Sequence, residues 1–111
     1  MQTILKLQLY ESTLELCEAI MNWTISNRKA LRRSEFEDYR KRVMVIPRSI
    51  GSALDESKIE ECFGKLIIVN KELNSLLIEI KSRYRTIGRL ELNIEECFTK
   101  YTKFLNDYHY C

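Results

Sequence analysis

The sequence predicts an all-α fold, an antiparallel up-down four-helix bundle with a proline-kinked second helix. Three observations carry that expectation. Apolar residues recur at alternating steps of three and four along four stretches, the spacing of one stripe on a helix. Only 3 glycines and 1 proline occur in 111 residues, too few for the many tight turns of a β fold. The one proline, Pro47, sits inside a stripe rather than between two. There it removes a backbone hydrogen bond at a cost of ~3 kcal/mol, so the surrounding structure must hold the kink.

Helix one is expected from about Leu7 to Ile25, with Leu9, Thr13, Leu16, Ile20 and Trp23 on its stripe and Tyr10, Leu14, Cys17 and Met21 widening it. Thr3 to Leu9 alternate like a strand, which predicts an extended start. Helix two is expected from about Ser34 to Ala53, with Ser34 as N-cap before Glu35. Its stripe is Phe36, Tyr39, Val43, Ile46, Ile50 and Ala53. Helix three is expected to open at Ser57, where Ser57 and Glu60 form a capping box. Its seam, Ile59, Cys62, Leu66, Val69, Leu73, Leu76 and Ile80, is a three-four repeat over three heptads. Helix four is expected from near Asn93, with Glu96 at the matching box position and a seam of Ile94, Phe98, Tyr101, Leu105 and Tyr108. Short connections between such helices imply antiparallel neighbours crossing at about +20°.

The length is one domain's worth, so residues 1–111 are read as a single four-helix-bundle domain. A composition of 45% hydrophobic and 31% charged residues suits a soluble globular protein. No wholly apolar run is longer than that from Leu66 to Val69, which is far too short to span a bilayer. No basic-then-apolar leader opens the chain, so a cytoplasmic setting is expected. None of Cys17, Cys62, Cys97 and Cys111 lies within three residues of another, which argues against a zinc knuckle or a redox CxxC. The first three are expected to be small buried hydrophobes, and Cys111 a frayed thiol.

Five apolar residues lie off the seams: Met44 and Val45 on helix two, and Ile67, Ile68 and Ile78 on helix three. They predict a second buried face, either a subunit interface or a wide core that covers them. The pentapeptide IEECF occurs twice, at Ile59–Phe63 and Ile94–Phe98. A duplicated hairpin would explain it. So would two helix openings, each placing Glu at the positive dipole end and Ile with Phe in the core.

Charge is uneven although the net is only +2. Between Arg28 and Arg48 the basic residues are Arg28, Lys29, Arg32, Arg33, Arg40, Lys41, Arg42 and Arg48, against Glu35, Glu37 and Asp38. Lys81, Arg83, Arg85 and Arg89 follow with no acid among them. In an antiparallel bundle the first and third connections lie at one end, so that end should be positive. Such a patch binds nucleic-acid backbone, or it is a solvated basic rim. Tyr84, among the loop arginines, is placed either to stack a base or to pack on the loop.

No catalytic constellation is visible. His109, the only histidine, stands in the tail without a partner in sequence. There is no P-loop, dinucleotide glycine motif or HExxH, so no metal or cofactor is expected. Gly51 and Gly64 are expected to allow close packing rather than to cradle a phosphate.

Two segments carry a resemblance. The first is Lys6-Leu7-Gln8-Leu9-Tyr10 followed by Glu15-Leu16. The second is Val45-Ile46-Pro47-Arg48-Ser49-Ile50 followed by Ser57-Lys58-Ile59-Glu60. In order and spacing they resemble the "KLKVW…EL" and "SIPSNIAEG…SKKE" patterns of a bacterial four-helix-bundle family. That family includes proteins encoded in intervening sequences of 23S ribosomal RNA genes. Ser49, Ser52 and Ala53 stand where the family favours Asn, Glu and Gly. Related in fold are the accessory variability proteins of diversity-generating retroelements. The resemblance implies a homo-oligomer, a pentamer on the family's pattern, with a role beside RNA or a reverse transcriptase. Two functions of different class follow. One is a non-catalytic RNA- or DNA-binding accessory protein using the basic end, and the other is an oligomeric protein-interaction scaffold.

Overall fold

Helix α1 spans Gln2–Ser26, α2 Arg33–Leu54, α3 Ile59–Arg83 and α4 Gly88–His109. This is a computed structural model that describes residues 2–83 and 88–109, with side chains described for 3–82 and 93–108. Tyr84, Arg85 and Cys111 lie outside the described residues, as do the side chains of Arg83, Arg89 and His109. Among the described residues the fold is all-α, four helices with no strand.

The start of α1 corrects one expectation. Thr3 to Leu9 are helical, not extended. Their alternation is two helical stripes overlaid: Ile4 and Leu7 face outward, while Leu5 and Leu9 face inward with Leu9 fully buried. Leu16, Ile20, Trp23 and Thr13 continue the buried stripe, joined by Cys17. Leu14 does not widen it, because it is 39% exposed. The buried hydroxyls of α1 are satisfied within the helix: Ser12 and Thr13 donate to the Leu9 carbonyl at 2.9 and 2.8 Å, and Thr24 to that of Met21 at 2.6 Å. The helix ends in a tight turn. Asn27 donates both its backbone N–H (3.1 Å) and its Nδ2 (2.9 Å) to the Trp23 carbonyl, and buried Leu31 anchors the connection to α2.

The N-cap of α2 is Arg32 rather than Ser34, and its backbone N–H donates to Glu35 Oε1 at 3.3 Å. The helix continues through Pro47 to Leu54, and buries Tyr39, Val43, Ile46, Ile50 and Ala53 as the stripe predicts. Helix α3 begins at Ile59, with the Cys62 N–H reaching the Lys58 carbonyl at 3.0 Å, so Lys58 takes the cap position expected of Ser57. Its seam is buried from Cys62 to Ile80, but Ile59, at the first position of the helix, is 60% exposed. Helix α4 starts at Gly88, so Asn93 and Glu96 lie inside it rather than at its cap. Ile94, Tyr101 and Tyr108 are buried, with Phe98 and Leu105 packed against them.

The two IEECF copies differ in register. In α3 the cysteine is buried and the isoleucine exposed; in α4 the isoleucine is buried and the cysteine half-exposed. Neither glycine is demanded by space. A Cβ on Gly51 would meet only Tyr10 Cε2 at 3.7 Å, and one on Gly64 would meet nothing within 4 Å.

Helix α1 packs on α4 and α2, and α2 packs on α3. At the α1–α2 and α2–α3 contacts residue numbers rise on one helix as they fall on its neighbour. Gly51 faces Tyr10 while Arg40 reaches Thr24, and Glu56 meets Lys65 while Arg42 meets Glu79. Helices α3 and α4 meet through long side chains: Tyr101 on Asn70, Tyr108 on Cys62 and Phe63, and Lys81 on Glu95. The result is a body 44 Å long and 23 by 18 Å across.

Candidate nucleic-acid interface

The contacts Arg42–Glu79 and Lys81–Glu95 (3.0 Å) bring the start of α2, the end of α3 and the early part of α4 to one end of the bundle. The α1–α2 connection, residues 27–32, lies at the same end because Arg40 on α2 reaches Thr24 at the end of α1 (3.4 Å). The basic residues expected to converge therefore do so for Arg28, Lys29, Arg32, Arg33, Arg40, Lys41 and Lys81. The backbone of Arg83 ends α3 at this end, and that of Arg89 lies in the first turn of α4.

These residues are not equivalent. Arg33 faces Glu37 at 3.2 Å, Arg42 bridges Asp38 (3.4 Å) and Glu79, and Lys81 pairs with Glu95. Arg32 stands 4.0 Å from Glu35 and stays largely exposed. Each pair lowers the positive potential that a phosphate would meet, although exposed pairs of this kind hold together by only about 0–1 kcal/mol. Lys29, Lys41 and Arg48 are exposed and carry no ion pair among the described residues. Arg28 and Arg40 follow a third pattern. Both guanidinium groups lie over the half-buried ring of Phe36, at 5.3 and 5.1 Å from its centroid. A cation over a ring face keeps its charge, so these two arginines are positioned without being neutralised. Sequence reasoning missed this cluster, because the three residues belong to a turn and two different turns of a helix.

The second face is apolar. Met44, Val45, Ile67, Ile68 and Ile78 are 52–66% exposed, so the single chain does not cover them with a wide core. Between α2 and α3 runs a cleft of about 240 Å³ lined by Val45, Ile46, Ile68, Val69 and Leu76, with Arg42 and Glu72 at its rim. Farther along, Ser49 and Ile68 continue it toward Arg48 and Lys65. Lys65 beside Glu56 holds that carboxyl below the usual carboxylate range.

Cys17 and Cys62 are buried free thiols, and burial pushes Cys17 up to about 12, so it is a poor nucleophile. Cys97 is only half-buried, and burial with the nearby Glu15 raises its thiol too. Among the described residues no group of three or more His, Cys, Asp or Glu is placed to hold a metal ion. No described helix is long and apolar enough to cross a membrane. No family model, curated protein or solved structure matches the chain.

Proposed function

We propose that this chain is a non-catalytic, homo-oligomeric protein that holds the backbone of RNA or DNA on the basic end of its bundle. The observation that carries this reading is the set of basic side chains left without a carboxylate there. Lys29 is unpaired among the described residues, and Arg28 and Arg40 keep their charge over Phe36. These groups suit phosphate oxygens, and nothing described beside them is arranged to read base edges, so binding should be independent of sequence. The resemblance to the intervening-sequence and accessory variability proteins supports the same reading. It extends it to an accessory role beside ribosomal RNA or a reverse transcriptase, and to a pentamer. Free, buried Cys17 and Cys62 suit a reducing cytoplasm.

A second reading, an oligomeric protein-interaction scaffold without nucleic acid, is favoured by the exposed Met44, Val45, Ile67, Ile68 and Ile78. Fluorescence anisotropy with structured RNA and duplex DNA, each at low and moderate salt, separates the two. Wild type should bind both, with the logarithm of affinity falling by about 0.9 per phosphate contact for each decade of salt. Two variants, Lys29→Ala/Arg32→Ala/Arg33→Ala and Arg83→Ala/Arg85→Ala/Arg89→Ala, should bind all sequences more weakly and with a shallower slope. Wild type that binds neither polymer at low salt leaves the scaffold reading.

A further inference from the structure

The face of α1 turned away from the core is not an ordinary solvated surface. Ile4, Leu7 and Ile25 are 55–62% exposed, and Leu14 is 39% exposed. With Glu11 and Glu18 they recur at steps of three, four and seven, within about 80° of one another around the helix. The outward face of α1 is therefore one stripe along almost its whole length, apolar and interrupted by Glu11, Glu18 and the exposed Asn22. Glu11 and Glu18 are both exposed and carry no ion pair among the described residues, whereas Glu15, one step off the stripe, is held by Lys100 at 3.0 Å.

The outward face of α2 has the opposite charge and the same spacing. Lys41 and Arg48 are exposed without ion partners among the described residues, and exposed Met44 and Val45 lie between them. These four residues share an open depression of the surface with Phe36, Arg40 and Glu37, the last of which is held by Arg33 at 3.2 Å. Glu11 and Glu18 are seven residues apart, as are Lys41 and Arg48, so each pair spans about 10.5 Å along its helix. Leu14 sits between the two acids as Met44 and Val45 sit between the two bases.

We infer that the outward face of α1 of one subunit seats on the outward face of α2 of a second copy, with Glu11 and Glu18 opposite Lys41 and Arg48. The inference rests on the homo-oligomer of the proposed function, and it moves Lys41 from the nucleic-acid end to the subunit contact. A pairing of like faces is disfavoured by charge. Two α1 faces would set Glu11 and Glu18 against themselves, and two α2 faces would do the same with Lys41 and Arg48. The contact is therefore heterologous: each subunit offers one face and receives the other, which builds a closed ring or a filament rather than a two-fold dimer.

The test is light scattering on four proteins at micromolar concentration, with circular dichroism to check that each is folded. They are wild type, Glu11→Lys/Glu18→Lys, Lys41→Glu/Arg48→Glu, and the quadruple variant combining both. All four substituted positions are exposed, so the bundle should tolerate them. Wild type should scatter as a multiple of 13.3 kDa. Each double variant should fall to the single-subunit mass, and the quadruple variant, whose charges are exchanged, should recover assembly. A folded quadruple variant that remains a single subunit overturns the pairing. So do double variants that assemble like wild type. If Ile68→Asp alone abolishes assembly in that case, the homo-oligomer stands and only this pairing fails. A wild type that scatters as one subunit overturns both.

Discussion

The Tyr101 hydroxyl donates to Asn70 Oδ1 at 3.3 Å from a ring that is completely buried. It is a polar link between α3 and α4, which otherwise meet largely through aromatic and thiol side chains. Desolvation raises the Tyr101 phenol above its ordinary range, with Cys17 adding to it. Tyr101→Phe and Asn70→Ala should each lower stability by about 1 kcal/mol, the net contribution of a typical buried hydrogen bond. A double-mutant cycle by urea unfolding should return a coupling of similar size. A coupling near zero would mean that the bond contributes nothing in solution.

Stability should fall in alkali. Burial raises the Cys17 thiol from 9.0 to about 12, so above pH 9 the unfolded chain loses a proton that the folded chain keeps. Burial, aided by the contact with Cys62, pushes the Tyr108 phenol from 10.0 up to about 12. Both contributions are complete at neutral pH and are lost on the way to pH 12. For the buried Cys17 thiol the loss is about 1.4 kcal/mol per pH unit within its window, and for Tyr108 it is smaller. Urea unfolding between pH 8 and 11 should show the decline, and Cys17→Ala, though less stable overall, should show a shallower one. Parallel curves would remove Cys17 from the effect.

Gly64→Ala should stabilise the protein. The glycine is exposed inside α3 and a Cβ there meets nothing, so only the backbone entropy changes. The expected gain is about 0.5–1 kcal/mol, a melting temperature higher by a few degrees. Gly51→Ala should also be tolerated, since its Cβ would touch Tyr10 at an ordinary 3.7 Å. A loss of more than about 1 kcal/mol at either site would show a packing constraint that the fold does not display.

Pro47→Ala should leave α2 folded and raise the melting temperature, because alanine restores a backbone donor in mid-helix. If the proline bends the helix, straightening it should also lower the assembled mass in light scattering. Unchanged assembly would show that the proline does not shape the subunit contact.

Most of the core was legible because its cause is local periodicity. Nearly every residue placed on a seam is buried, from Leu9 and Trp23 to Leu73 and Tyr101. The errors fall at helix ends, where the signal is weak. Ile59 keeps the heptad spacing but is 60% exposed at the first position of α3, and Gly88 read as loop although it opens α4. The candidate site was legible only as composition. The sequence shows that Arg33, Arg42 and Lys81 are basic, but a partner such as Glu79 or Glu95 exists only once helices are side by side. Leu14 and Leu16 look alike in sequence, yet two residues of helical rotation put one at the surface and the other in the core.

Ser12 and Thr13, both buried, direct their hydroxyl protons to the Leu9 carbonyl of their own helix. They therefore reach toward no acceptor on α2 or α4. In this stretch α1 has no directional bond from these hydroxyls to tell it how far along its neighbours to sit. Its position there is specified by shape, by where Leu16, Ile20 and Trp23 find room. A helix held in this way should tolerate exchange of Ser12 or Thr13 for alanine far better than any change in the bulk of Trp23. The burial of Leu16, Ile20 and Trp23 on one side of α1 thereby fixes which side carries the outward stripe.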